Sequence, residues 1–391
     1  MYPHQSERLS GALDRAGLQA LVATGSANVA YITGFPSRAD AGPITGGSSA
    51  VFTRQGTALV LPAVEAVSAV VEGTEVDHVV CYGAFSGVIK DSPDGVLRRL
   101  QSVLDQRAAG LADSIDRALG LLGVRSGRVG VDATGLVRSE WDRVNGRLAS
   151  LEVVNGADPL AAARRVKAPF EIECLQRALG IAEEALNEVI QTLARGTTER
   201  EAAAAYRAAV VKRGAEPCRV LASMGERTSL PLAWPTDRAL HPGEVVCFDV
   251  GCVYRGYHAR VARTGVLGEP TREHDASYGA LLAGVEAALE GTTPGRSASH
   301  VVTSAVGATR AHGLARYQSD RVGHGIGLEP CESPELALGE ETALEAGEVL
   351  QIGVCFHEVG AVGFAVTETA LVAMTGARVL NRSARGLITL D

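Results

Sequence analysis

Apolar positions recur along this chain with two periods, and their alternation lays out the elements. Residues 6–17 set Leu9, Leu13 and Ala16 on one helical face, and Gly17 stands where a left-handed cap closes such a helix. Residues 18–23 are a short apolar run of buried-strand type, followed by the segment SANVAYITGF at 26–35. Residues 49–53 and 57–61 read as two strands joined at Gln55-Gly56. Strand and helix patterns alternate in this way to about Val154. Residues 155–167 are expected to be a linker, with Asp158-Pro159 breaking any helix. Beyond it Ile172, Leu175, Ala178, Leu179, Ala182 and Leu186 keep helical spacing. Thr198 and Glu201 form a capping box opening a second helix that ends near Arg213. Residues 245–250 and 253–257 are strand candidates about a turn at Gly251, while 273–289 and 297–312 are helical. No internal sequence repeat and no low-complexity segment interrupts the pattern.

A chain of 391 residues has room for two substantial cores. The pattern divides it into 1–155 and 156–391, each with its own alternation of elements. With 46% hydrophobic and 21% charged residues it has ordinary globular composition. The net charge of −8 gives no basis for nucleic-acid binding and favours a cytoplasmic protein. No apolar run reaches the ~18 residues of a membrane span, and the first residues lack the apolar core of a signal peptide. Seven scattered cysteines, an odd number without a C-x-x-C pair, suggest free thiols rather than disulfides or a structural zinc site.

Several segments carry a specific resemblance. Asn28, Tyr31, Thr33, Gly34 and Phe35 spell N-x-x-Y-x-T-G-F after the first strand. Arg164, Lys167, Glu171 and Ile172 spell R-x-x-K-x-x-x-E-I at the head of a helix. FDVGCVYRGYHARVARTG at 248–265 and RVGHGIGLEP at 321–330 follow in order. Together they resemble the creatinase, aminopeptidase P and prolidase family, the M24 or pita-bread hydrolases, over nearly the whole chain. The resemblance implies an α/β (α+β) fold: a pita-bread C-terminal domain behind a smaller creatinase-type α/β N-terminal domain. It also implies a homodimer, in which the loop at 34–47 closes over the neighbour's active site and Arg38 could meet a substrate carboxylate.

Metal-dependent members of that family hold two cations with five side chains. The matching positions here are Asp249, Arg260, His324, Gly353 and Thr367, with Glu368 taking the last place if the alignment shifts by one. Arg260 stands where a second aspartate is required, and a guanidinium has donors but no acceptor. Three of the five positions therefore do not fit a metal ligand, and no metal or other cofactor is expected. A mononuclear site on His324, Asp249 and the thiol of Cys331 or Cys355 is the alternative. If Thr367 is the match, alternation along a strand turns Glu368 away from the site.

Creatinase works on this fold without metal, but its histidine base corresponds to Leu232 in Pro231-Leu232, and two of its glutamates to Ala262 and Gly353. The catalytic candidates that remain are His324, Asp249 and Glu332. Arg260, Tyr257, His258, Arg38, Trp234 and His357 are the candidates for binding substrate. For Arg260 two roles stand open, an ion pair with Asp249 or a bidentate clamp on a substrate carboxylate or phosphate. Tyr257 and His258 are neighbours on a strand, so only one should face the pocket, and His357 is expected in an exposed loop. The expectation is a metal-independent creatinase-like enzyme acting on a small polar, amino-acid-like metabolite at a C–N bond. The alternatives are a non-catalytic homologue that binds a ligand or a protein partner, and a metal-dependent Xaa-Pro aminopeptidase.

Overall fold

The computed structural model describes residues 3–36, 47–90 and 94–391. The chain divides into two compact units, Met1–Arg164 and Arg165–Asp391. The N-terminal unit runs α1 (Pro3–Ala16), β1 (Ala20–Ala23), α2 (Ser26–Thr33), β2 (Ser49–Thr53), β3 (Gly56–Pro62), α3 (Ala63–Val71) and β4 (His78–Tyr82). It continues through α4 (Gly95–Asp105), α5 (Leu111–Leu121), β5 (Arg128–Val131), α6 (Arg138–Arg147), β6 (Glu152–Asn155) and α7 (Ala157–Arg165). Its six strands form one mixed sheet in the order β4-β3-β2-β1-β5-β6. Val22, Val51, Val60 and Val129 of that sheet pack with Ile115 and Leu119 of α5 in a buried core.

The N-x-x-Y-x-T-G-F segment is structural. Its first part is α2, closed by Gly34 at φ 70° with Gly34 N–H donating to the Ala30 carbonyl. Asn28 Nδ2 donates to Asp132 Oδ2 at 2.8 Å, and Tyr31 Oη to the Ala163 carbonyl at 3.0 Å. The loop at 37–46, and with it Arg38, lies outside the described residues.

The expected linker is a helix instead. Pro159 sits within the first turn of α7, where amide hydrogens have no intrahelical acceptor to lose. The Asp158-Pro159 signal therefore marks a helix start rather than a break.

The C-terminal unit runs α8 (Pro169–Ile190), α9 (Glu199–Lys212), β7 (Glu216–Met224), β8 (Val245–Tyr254), β9 (Tyr257–Leu267), α10 (Arg272–Gly291) and α11 (Ala298–Ala311). Then come β10 (Arg321–Gly325), β11 (Glu332–Ala337), β12 (Val349–Glu358), β13 (Val362–Ala373), β14 (Gly376–Val379) and β15 (Ile388–Leu390). Two helices followed by antiparallel strands occur twice, a repeat of architecture that the sequence does not display. One sheet has the order β15-β9-β8-β7 and the other β11-β10-β12-β13-β14. Leu175, Leu179 and Leu186 of α8 cover the back of the first sheet, while Leu281, Val285 and Val302 of α10 and α11 cover the second. The front faces of both sheets are left for the site.

The two sheets are stitched where β9 meets β13. Thr264 Oγ1 donates to the Ala365 carbonyl and accepts from Ala365 N, both at 3.0 Å, and Ala262 N donates to Thr367 Oγ1 at 2.8 Å. The hairpin of β8 and β9 turns at Arg255-Gly256, with φ 51° and 83°, and not at Gly251. Two successive positive φ values give the tight turn that suits strand twist. Gly251 stays inside β8 opposite Arg260, where a Cβ would come within 2.4 Å of the Ala259 carbonyl oxygen. That glycine serves close strand approach.

Candidate active-site cleft

Side chains of alternate residues on β7, β8, β9, β12 and β13 share the front face. Arg219, Asp249, Arg260, Gly353, Cys355, Ala365 and Thr367 all line cavities there. A cavity of about 220 Å³ is bounded by Arg260, Arg321, His324, Gln351, Gly353 and Thr367 among others. A second, of about 190 Å³, is bounded by Arg219, Asp249, Arg260, Leu230, His357 and Thr228 among others. Arg260, Cys355 and Ala365 belong to both, so the two are halves of one cleft.

Asp249 sits at the junction and is clamped by two guanidinium groups. Arg260 Nε donates to Oδ1 at 2.6 Å and Nη2 to Oδ2 at 2.7 Å; Arg219 Nε donates to Oδ2 at 2.8 Å, with Nη2 at 2.6 Å from the same oxygen. Burial pushes the Asp249 carboxyl up, but the hydrogen bonds and charges of Arg260 and then Arg219 outweigh it and hold the group below its ordinary value. The ion-pair role weighed for Arg260 is thus the one its geometry displays. Arg219 is a partner the sequence did not announce, because it enters through the pairing of β7 with β8.

His324 lies on β10, buried, with Nδ1 2.8 Å from the Gly325 carbonyl and Nε2 3.4 Å from Cys331 Sγ. Burial lowers its pKa, the Gly325 hydrogen bond opposes this, and Arg321 and Arg260 lower it further. A neutral imidazole whose Nδ1–H donates to Gly325 turns its Nε2 lone pair towards the thiol. Glu332, expected as a catalytic acid or base, is instead in a buried ion pair with Lys167, Nζ to Oε2 at 2.6 Å, and its Oε1 accepts from Glu329 N at 3.2 Å. Its carboxylate serves to fix the loop after His324.

The other expected substrate contacts divide. Tyr257 turns to the back of the sheet, where its hydroxyl donates to Glu171 Oε1 at 3.1 Å and its ring meets Phe170 edge-on. His258 shares the face of Arg260 but lies beyond both cavities, with its backbone N–H donating to the Gly327 carbonyl and a buried Nδ1 lacking a hydrogen-bond partner among the described residues. Trp234 is 73% exposed and lines neither cavity; a loop held by its backbone, through Arg227 Nη2 to the Trp234 carbonyl, leaves the ring in solvent. His357 stands on β12 rather than in an open loop, half-buried, with Nδ1 3.2 Å from the Thr228 carbonyl.

The last ligand position of the pattern is Thr367. It faces the cleft, whereas Glu368 points to the other side and pairs with the buried Arg263 at 2.9 Å. Gly353 is directly opposite Thr367, and a Cβ built on it would lie 2.7 Å from Thr367 Cγ2. A side chain at 353 would force the Thr367 methyl group to move. Asp249 has both oxygens committed to guanidinium donors and His324 Nε2 faces a thiol. Among the described residues no cluster of three or more His, Cys, Asp or Glu is placed to hold a metal ion. The donor set does not fit the two-cation centre of the pattern.

The pattern of metallopeptidase family M24 matches residues 173–374, and that of the creatinase/prolidase N-terminal domain matches residues 5–166. The chain belongs to metallopeptidase family M24. A Xaa-Pro dipeptidase of Pyrococcus furiosus is 30% identical over 229 residues, covering 58% of this chain and 65%, under two thirds, of that protein. The uncharacterised peptidase YqhT of Bacillus subtilis is 23% identical over 98% of this chain and 99% of its own length. An X-Pro aminopeptidase from Thermotoga maritima MSB8 superposes with a TM-score of 0.81 at 22% identity, covering 98% of this chain and 99% of that one. These relatives bear peptidase names, and they overturn the expectation of a metal-independent creatinase-like enzyme for a small metabolite. That expectation rested on analogy of fold to creatinase, whose base and glutamates this chain does not share.

Proposed function

We propose that the C-terminal cleft takes up a short peptide of the Xaa-Pro class, and that its side chains provide recognition rather than two-cation hydrolysis. The observation that carries this is the Arg219–Asp249–Arg260 cluster, which fills the heart of the cleft with guanidinium groups while leaving a cavity on either side. Arg260, Asp249 and His324 are the site residues on this reading, with Arg321 and Gln351 added from the cavity wall. The peptide class comes from the relatives, one of which is named a Xaa-Pro dipeptidase.

Family membership favours a second reading, cleavage of such a dipeptide. One pair of assays separates the two. Gly-Pro, Ala-Pro and Leu-Pro are titrated into the protein by calorimetry, and free proline is followed in parallel. Saturable binding without proline release is expected. No heat with any dipeptide would remove the peptide reading, and proline release that depends on added Mn²⁺ or Co²⁺ would establish the second.

The resemblance also supports a homodimer, which light scattering at micromolar concentration checks; a monomer there would refute it. Seven free cysteines support a cytoplasmic location, and no described helix is long and apolar enough to cross a membrane.

A further inference from the structure

The cavity of about 220 Å³ has a chemical character opposite to a cation chamber. No carboxylate stands among its described lining residues; the charged groups on its wall are Arg260 and Arg321. Arg260 uses Nε and Nη2 on Asp249, and its Nη1 makes no hydrogen bond among the described residues. Among the described residues Arg321 has only a weak outward tie, Nη1 to Glu335 Oε1 at 3.4 Å in the open, besides a thiol contact at 3.8 Å to Cys331.

Gln351 is the decisive member. It is 2% exposed, near the start of β12 opposite His324, and its Oε1 accepts from Thr369 Oγ1 at 3.4 Å. Its Nε2 is buried and has no hydrogen-bond partner among the described residues. A buried amide donor left unpaired is destabilising, and a ligand acceptor in the cavity would satisfy it. The acceptors already present are engaged: Thr367 Oγ1 takes the Ala262 amide. What the wall offers is a surplus of donors with positive charge.

We infer that this chamber is an oxyanion subsite, in which Gln351 Nε2, Arg321 and the outer edge of Arg260 receive a carboxylate of an amino-acid-sized ligand or a phosphate. The volume is roughly that of seven waters, enough for a single residue with its carboxylate and too small for a folded peptide segment. Two guanidinium planes and one amide supply the directed donors that carboxylate and phosphate oxygens favour. This deepens the peptide reading and rests on it for the choice of carboxylate, since the C-terminal carboxylate of an Xaa-Pro peptide is the group that would enter. The same face that elsewhere in the family is arranged for cations here selects an anion.

The test titrates the intact protein with N-acetyl-L-proline, N-acetyl-L-prolinamide, inorganic phosphate and Gly-Pro. Arg321→Met and Gln351→Glu are run alongside, with folding checked by circular dichroism. Arg321→Met changes a half-exposed side chain, so it reports on binding even if Gln351→Glu fails to fold. The acid is expected to bind at least about tenfold more tightly than the amide, and both variants to lose that preference. Phosphate competing with the acid at equal potency would assign the subsite to oxyanions in general, and failure to compete would assign it to carboxylates; both support the inference. Equal binding of acid and amide, unchanged in Arg321→Met, overturns the subsite while leaving the peptide reading in place if Gly-Pro still binds. Binding of phosphate with no response to either proline compound or Gly-Pro keeps the subsite and sinks the peptide reading. Silence from all four probes sinks both.

Discussion

Asp249 is held from two sides, and that changes what single substitutions should do. Removing Arg260 alone leaves Arg219 Nε and Nη2 on the carboxylate. Arg260→Met is therefore expected to cost only about 1–2 kcal/mol in urea unfolding, because the pair is partly solvated. The double change Arg219→Met with Arg260→Met strands a mostly buried charge and should cost about 3–5 kcal/mol, part of which Asp249→Asn then restores. A double variant no less stable than Arg260→Met would show that Arg219 contributes nothing. The pH dependence follows from the same contacts. Asp249 is an acid whose folded pKa lies below its ordinary 3.8. Its contribution is complete above that value and is lost as pH falls through the lower folded pKa. His324 and His258 are bases with folded pKa values lowered from 6.5, chiefly by burial. The unfolded chain takes up their protons first, so stability should fall as pH drops below about 6.5. His258→Leu should flatten that slope; an unaltered slope in melts across pH 5–8 would exclude His258 as a source.

Between elements, the contact of β12 with β13 is the sharpest constraint on the cleft. Gly353 and Thr367 are complementary, one lacking a side chain where the other places a methyl group. Gly353→Ala is expected to destabilise by about 1–3 kcal/mol through overpacking. In a Thr367→Ser background the cost should largely vanish, because serine keeps the oxygen that accepts from Ala262 N and discards Cγ2. Additive effects of the two changes would refute the coupling. Much of this level was legible in the sequence. Helical spacing placed α8, and its Leu175, Leu179 and Leu186 are indeed buried. The Thr198–Glu201 capping box forms as read, Thr198 N donating to Glu201 Oε2 at 2.8 Å. Strand alternation separated Thr367 from Glu368. What escaped was information held in pairing between distant strands. Arg219 and Asp249 meet only when β7 lies beside β8, and local pattern cannot show that. Gln351 did leave a signal, a lone amide in the apolar run VLQIGVCF, but its meaning depends on which neighbours close over it. The turn at Arg255-Gly256 was missed because Gly251, the more conspicuous glycine, sits in a strand for reasons of cross-strand distance.

For the molecule as a whole, the buried pair of Lys167 and Glu332 links the entry of the C-terminal domain to the loop beside His324. Lys167→Met should therefore destabilise the protein by about 3–5 kcal/mol and loosen ligand binding at the same time, by leaving Glu332 buried with its ammonium partner gone. A variant that loses stability yet binds Gly-Pro as before would separate the loop from the site. The order of elements, the two matched family patterns and the motifs at 28–35, 164–172 and 321–330 all point to one architecture. Fold was thus written widely along the chain. The site was written in only a handful of positions, and at three of them, Arg260, Gly353 and Thr367, this chain departs from the pattern it resembles.

The fit of Gly353 against Thr367 also limits what the cleft can become. A chain acquiring an acidic residue at position 353 would have to shrink or turn the residue at 367 as well. An aspartate at position 260 would meet Asp249 as a like charge before any cation had enough oxygens to bind. The changes at 260 and 353 are each unfavourable when made alone. The cleft is therefore latched: acidic side chains at 260 and 353 can be installed only together with a smaller residue at 367 and with cations to neutralise them.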